Sequence, residues 1–109
     1  MSKQLIFTYG DKEYTLEFTR RTVSEMEKKG FIASEITDKP MTTLPALFAG
    51  AFLAHHRFVK QETIEEIFSK LTEKEDLIGK LAEMYNDPIM ALVAEPEEDK
   101  GNVHWTATW

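Results

Sequence analysis

Two short runs near the start of the chain alternate apolar and polar side chains. Leu5-Ile6-Phe7-Thr8-Tyr9 and Tyr14-Thr15-Leu16-Glu17-Phe18 are rich in β-branched and aromatic residues, and Gly10-Asp11-Lys12-Glu13 between them is a turn cluster. A period of two on either side of a turn predicts a β-hairpin. Leu5, Phe7 and Tyr9 share one face with Tyr14, Leu16 and Phe18, while Thr8, Glu13, Thr15 and Glu17 fall on the other. A lone hairpin is marginal in water, so the apolar face needs helices beneath it.

After Phe18 the period becomes helical. Thr22-Val23-Ser24-Glu25 has the capping-box form, and Gly30 is a natural stop. Phe31 to Thr42 has no clean period and holds Asp38-Lys39-Pro40, so a loop is expected there. A second helix is expected from about Leu44 to Lys60, with Thr43 as cap and Pro45 in its first turn. Its main stripe holds Leu44, Leu47, Phe48, Ala51, Phe52, His55 and Phe58. Thr63-Ile64-Glu65-Glu66 reads as another capping box, ahead of a stripe of Ile64, Ile67, Phe68 and Leu71. Thr72-Glu73-Lys74-Glu75 reads as a third, followed by Leu77, Ile78, Leu81, Met84 and Tyr85. Asn86-Asp87-Pro88 is expected to kink that helix or to start a new turn with Asp87 as cap.

The composition then shifts. Glu95-Pro96-Glu97-Glu98-Asp99-Lys100-Gly101 has the content of a linker, and the stretch after it alternates, with Val103, Trp105, Ala107 and Trp109 on one side. The expected fold is α+β, mostly α: an N-terminal two-stranded antiparallel hairpin packed on about four helices. Residues 1–94 form a single globular domain, and residues 95–109 form an acidic linker and a flexible, tryptophan-bearing arm. The arm is expected to dock as an added edge strand, on its own hairpin, a neighbour's or a partner's. The expected core is Leu16, Phe18, Leu47, Phe48, Phe52, Ile67, Phe68, Leu81 and Tyr85.

Charge and composition narrow the function. Residues 1–60 carry nine Lys/Arg against seven Asp/Glu, and residues 61–109 carry four against twelve, which leaves the net charge at −6. No basic stripe is present to neutralise phosphates, so nucleic acid is not an expected partner. The absence of cysteine excludes disulfides, thiolate nucleophiles and cysteine zinc sites. No apolar core follows Lys3 as a signal peptide would need, and the longest apolar run, Leu44 to Ala54, falls short of a membrane span. The cytoplasm is the expected location, and no membrane is expected as a partner.

Little chemistry stands out. His55-His56 is the one cluster worth testing, but adjacent helical side chains diverge. No His or carboxylate lies three or four residues from either one, so no metal pair forms, and a half-buried histidine with a hydrogen-bond partner is the simpler reading. The carboxylates lie on solvated faces, no nucleophile elbow or glycine-rich phosphate loop appears, and no cofactor is expected. The protein is expected to bind rather than catalyse. The second helix is its unusual element. Opposite the main stripe it carries Ala46, Ala49, Gly50 and Leu53, small and apolar where a surface helix is charged. That side is either buried or meets a partner. Ala46, Gly50 and Leu53, with Trp105 and Trp109 of the arm, are the candidate partner-binding residues. Weak self-association is expected through the same patch, opposed by the acidic half.

The layout as a whole resembles a known family. An aromatic N-terminal hairpin leads into a short helix ending Met26-Glu27-Lys28-Lys29-Gly30-Phe31. An alanine-rich helix with Ala51-Phe52-Leu53-Ala54-His55-His56 follows, then Leu77-Ile78-Gly79-Lys80-Leu81-Ala82-Glu83-Met84-Tyr85 and an acidic tail with tryptophans. This is similar to the small tail assembly chaperones of long-tailed phages and prophages of Gram-positive bacteria. The resemblance implies a non-enzymatic protein of the bacterial cytoplasm. Such a protein holds the tape measure protein while the tail tube is built and is absent from the mature virion. It also implies a longer form, made by translational frameshift, that meets the tail tube protein. Two other readings stand beside it: an adaptor or inhibitor that docks on an unrelated protein, and a small hydrolase using His55 or His56.

Overall fold

The computed structural model describes residues 3–94, 101 and 103–109. The element order is β1 (Leu5–Tyr9), β2 (Lys12–Leu16), α1 (Arg20–Lys28), a 3-10 turn (Ala33–Ile36), α2 (Pro40–Gly50), α3 (Gln61–Lys70) and α4 (Lys74–Val93). The expected α+β architecture is present: one antiparallel hairpin and, among the described residues, four α-helices.

The hairpin pairs Leu5 with Leu16, Phe7 with Tyr14 and Tyr9 with Lys12. Its loop is therefore only Gly10-Asp11, with Gly10 at φ 65°, the positive value that a glycine-first two-residue turn needs. The second strand starts two residues earlier than its aromatic pattern suggests and ends at Leu16, because Lys12 and Glu13 extend the ladder. Phe18 lies beyond the strand and is still buried. Phe7 and Tyr14 stack across the pair at 5.5 Å.

The cap of helix α1 lies three residues before the expected one. Thr19 is the N-cap: its hydroxyl accepts from the Thr22 amide at 3.1 Å, and the Thr22 hydroxyl accepts from the Thr19 amide at 2.9 Å. This is a reciprocal capping box with threonine in place of the usual glutamate. The helix stops at Gly30, φ 99°, where the Phe31 amide donates to Met26 O and the Gly30 amide to Glu27 O. These two bonds make a Schellman close.

Helix α2 differs most from its expectation. It begins at Pro40, within the stretch expected to be a loop, because a proline at the first helical position has no amide to leave unpaired. It ends at Gly50 and not at Lys60. The Ala51 carbonyl accepts from the Glu17 amide at 3.1 Å, and residues 51–55 run on as turns. His56 Nε2 then accepts from the Thr15 amide at 2.9 Å. Two outward amides of β2 and the segment after it are thus satisfied by the chain leaving α2, which covers that edge of the hairpin. Phe58, expected in the core stripe, lies beyond the helix and is 94% exposed.

The last two helices also start away from their expected caps. Helix α3 starts at Gln61 with Lys60 before it, and α4 starts at Lys74 with Glu73 before it; neither Thr63 nor Thr72 is an N-cap. Lys74 Nζ donates to Leu71 O at 2.7 Å and closes the end of α3. Helix α4 continues through Pro88 to Val93, so Asp87 caps no new turn.

Helix α2 is the hub, packing on α1, the 3-10 turn, α3 and α4. Leu16, Leu47, Phe48, Phe52, Ile67 and Leu81 are its fully buried large neighbours and members in one core. Eight of the nine expected core residues are buried; Phe68 is half-buried, packing on Phe48 at 5.0 Å. Among the described residues no helix is long and apolar enough to cross a membrane.

A candidate protein-binding groove beside the central helix

The end of α1, the chain after it, the outer side of α2, the chain that follows α2 and the start of α3 enclose an open groove of about 650 Å³. The Schellman close turns the chain sharply at Gly30, which sets Phe31 and Ile32 alongside α2. Phe31 is held from behind by Tyr85, ring to ring at 5.3 Å. Met41, Ala46, Ala49 and Leu53 line the opposite wall, and Lys29, Glu35 and Arg57 stand among the polar lining residues. The lining is therefore apolar with a polar fringe, the anatomy of a protein-binding surface.

Ala46, Gly50 and Leu53 do come together here, but they are not equivalent. Ala46 is exposed and Leu53 is half-buried. Gly50 is buried: a Cβ placed on it would lie 2.4 Å from Met26 Cε and 2.5 Å from Met26 Sδ. Its smallness lets α1 and α2 approach, so Gly50 belongs to the helix contact beneath the groove rather than to a free wall. Phe31, Ile32 and Met41 contribute more surface than the sequence pattern suggested. They lie in the stretch that shows no period; the signal available was that this stretch, expected to be a loop, holds four large apolar residues, these three and Ile36. Ile32 is 52% and Met41 87% exposed.

Arg57 fixes one end of the groove. Its two guanidinium nitrogens donate to the two carboxylate oxygens of Glu25 at 2.9 Å each, tying the chain after α2 to α1. The Arg57 hydrogen bond holds the Glu25 carboxyl below its ordinary range, and the same bond raises the guanidinium. Bidentate geometry of this kind positions more than it stabilises at an exposed surface.

Trp105 and Trp109 are not part of this assembly. They are 81% and 103% exposed, and residues 103–109 form no strand, so no edge pairing with the chain's own hairpin is present. Of the expected linker, residues 95–100 lie outside the described residues.

The histidines have structural partners. His55 Nε2 lies 2.7 Å from Glu17 Oε1, and Glu17 is buried beneath it. His56 is half-buried, with its ring 5.0 Å from that of Tyr14 and Nε2 engaged by the Thr15 amide. Burial holds its pKa below the ordinary histidine value, with Lys12 and His55 acting in the same direction. The two rings are 6.4 Å apart, and among the described residues no group of three or more His, Cys, Asp or Glu could hold a metal ion.

Comparison with curated proteins and with solved structures gives no match. A family model described as a domain of unknown function, DUF5055, matches residues 1–109, and the chain belongs to that family.

Proposed function

We propose that this chain is a non-enzymatic tail assembly chaperone of a long-tailed phage or prophage. Its groove beside α2 would receive an apolar helical stretch of the tape measure protein in the bacterial cytoplasm. The observation that carries this reading is the groove itself: an open apolar surface, with small residues on α2, flanked by exposed Ile32 and Met41. Grooves of this form accept amphipathic helices through anchors spaced one turn apart. A long tape measure chain exposes many such stretches before the tube encloses it, and covering them prevents aggregation. The family resemblance supplies the partner's identity and adds the tail tube protein as the contact of any longer form.

The test is co-expression with overlapping segments of the tape measure protein encoded nearby. At least one segment is expected to become soluble and to co-purify. Ala46→Glu places a carboxylate in the apolar wall and should weaken that complex by about tenfold or more, since an unpaired buried charge costs more than the 1.4 kcal/mol that tenfold represents. If no segment binds, or if binding ignores Ala46→Glu, this reading fails.

A further inference from the structure

We infer that the groove beside α2 takes the C-terminal arm of a second copy of this chain, with Trp105 and Trp109 as its anchors. Both indoles and Val103 lie in water in the single chain, at 81%, 103% and 90% exposure. An indole has a large apolar area to bury, roughly 150–250 Å². The groove stands open with an apolar lining of Phe31, Ile32, Ala49 and Leu53. One chain therefore carries both halves of an apolar contact, and its own fold does not join them.

Reach and pattern fit. Eleven residues lead from Ala94 to Trp105, a span of roughly 36–40 Å when extended, enough to cross to a neighbouring molecule. In an extended arm Trp105 and Trp109 point to one side about 13 Å apart, and His104, Thr106 and Thr108 point to the other. Charge agrees as well. The approach to the arm carries Glu95, Glu97, Glu98 and Asp99 against Lys100, and the groove opens beside the basic end of α1, with Lys29 in its lining and Lys28 next to it.

Addition to the hairpin edge explains less. The chain after α2 already covers the outer edge of β2. A strand added to β1 would set the indoles over the wet face of Ile6 and Thr8, or against a face already occupied by Leu5, Phe7 and Tyr9. An arm in a neighbour's groove is a heterologous contact, which closes as a reciprocal exchange or extends head to tail. This contact does not depend on which client the groove takes; a client and a neighbour's arm compete for one surface.

The test uses the arm as its own reporter, because no other tryptophan is present. Sedimentation velocity and tryptophan emission are followed over concentration up to the millimolar range. Three further chains are compared: one ending at Ala94, and full-length Ala46→Glu and Ile32→Glu, with circular dichroism to check folding. The full chain is expected to associate, with emission shifting to the blue over the same concentrations. The shortened chain should stay monomeric. The two groove variants should need about tenfold more protein to associate. Mixing the shortened chain with Ala46→Glu should restore association, since one supplies the groove and the other the arm. The inference is overturned by a monomer with red emission throughout, by a blue-shifted monomer (the arm in its own groove), by association of the shortened chain, or by association insensitive to both groove substitutions.

Discussion

Gly50 decides how closely the first two helices approach. Alanine is the better helix former by roughly 1 kcal/mol, but its Cβ would meet the terminal atoms of buried Met26. Overpacking of this kind costs about 1–3 kcal/mol, so Gly50→Ala is expected to destabilise by about 1 kcal/mol. Met26 is long and flexible, and Met26→Ala removes the clashing atoms at the cost of a cavity. In that background Gly50→Ala should cost nothing or stabilise, and urea unfolding of all four chains would measure the coupling. Additive effects would mean that the two side chains do not compete for space. His56 makes a second residue-scale prediction. Its folded pKa lies below the unfolded value of 6.5, so it resists a proton that the unfolded chain accepts. Its contribution to stability is therefore complete above pH 6.5 and is lost as pH falls below it. Protonation would also end the acceptance from the Thr15 amide. His56→Gln retains an acceptor and does not titrate, so the drop in melting temperature between pH 7.5 and 5.5 should be smaller in that variant. An identical drop in both chains would place the pH dependence elsewhere.

The elements that were legible in the sequence are those whose pattern is purely local. The hairpin's faces follow from alternation, and the stop of α1 follows from Gly30. The helix starts were less legible because several threonines compete as caps. Thr19 wins over Thr22 because Thr22 returns the bond from the third position, a role usually given to glutamate. The end of α2 was not legible at all. Nothing in Ala51-Phe52-Leu53-Ala54 opposes a helix; the helix ends where the Glu17 amide takes the Ala51 carbonyl, a bond between residues 34 apart in sequence. The same long-range origin explains the groove. Phe31 and Ile32 face Met41 across it only because α2 begins at Pro40 and packs back along α1. Glu73 shows an element boundary under local strain. It enters α4 at φ 52°, ψ 51°, a left-handed conformation that costs a side chain with a Cβ roughly 1–2 kcal/mol, and its side chain caps nothing. Asparagine tolerates that region better. Glu73→Asn is expected to stabilise by about 0.5–1 kcal/mol, and by the scaling for small domains to raise the melting temperature by a few degrees. A lower melting temperature would show that Glu73 is worth more to α4 as a charge near its positive end than it costs in backbone strain.

At the scale of the molecule the core is one cluster, and aromatic rings connect its parts. Tyr14 of the hairpin meets Phe52 at 5.9 Å, Phe52 meets Phe48 of α2 at 5.2 Å, and Phe48 meets Phe68 of α3 at 5.0 Å. Phe18 meets Tyr85 of α4 at 5.3 Å, and Phe31 meets the same ring at 5.3 Å. Phe52 is the link between sheet and helices, is 1% exposed, and lies just past the end of α2 in the segment that covers the hairpin edge. Phe52→Ala should therefore cost about 3–5 kcal/mol, a large part of the 5–15 kcal/mol that holds a domain of this size together. Phe68→Ala should cost less, because Phe68 is already half in water. The two outcomes differ in kind as well as size. With a single cluster, loss of Phe52 lowers the stability of the whole chain, and far-ultraviolet dichroism and tyrosine fluorescence should lose signal in one coincident transition. Were the hairpin to melt first in Phe52→Ala while the helices kept their dichroism, the sheet would be an appendage tied on by that ring. The groove, lined by α1, α2, the chain around them and the start of α3, would then keep all of its lining but the Phe52 ring in a molecule that had lost its N-terminal strands.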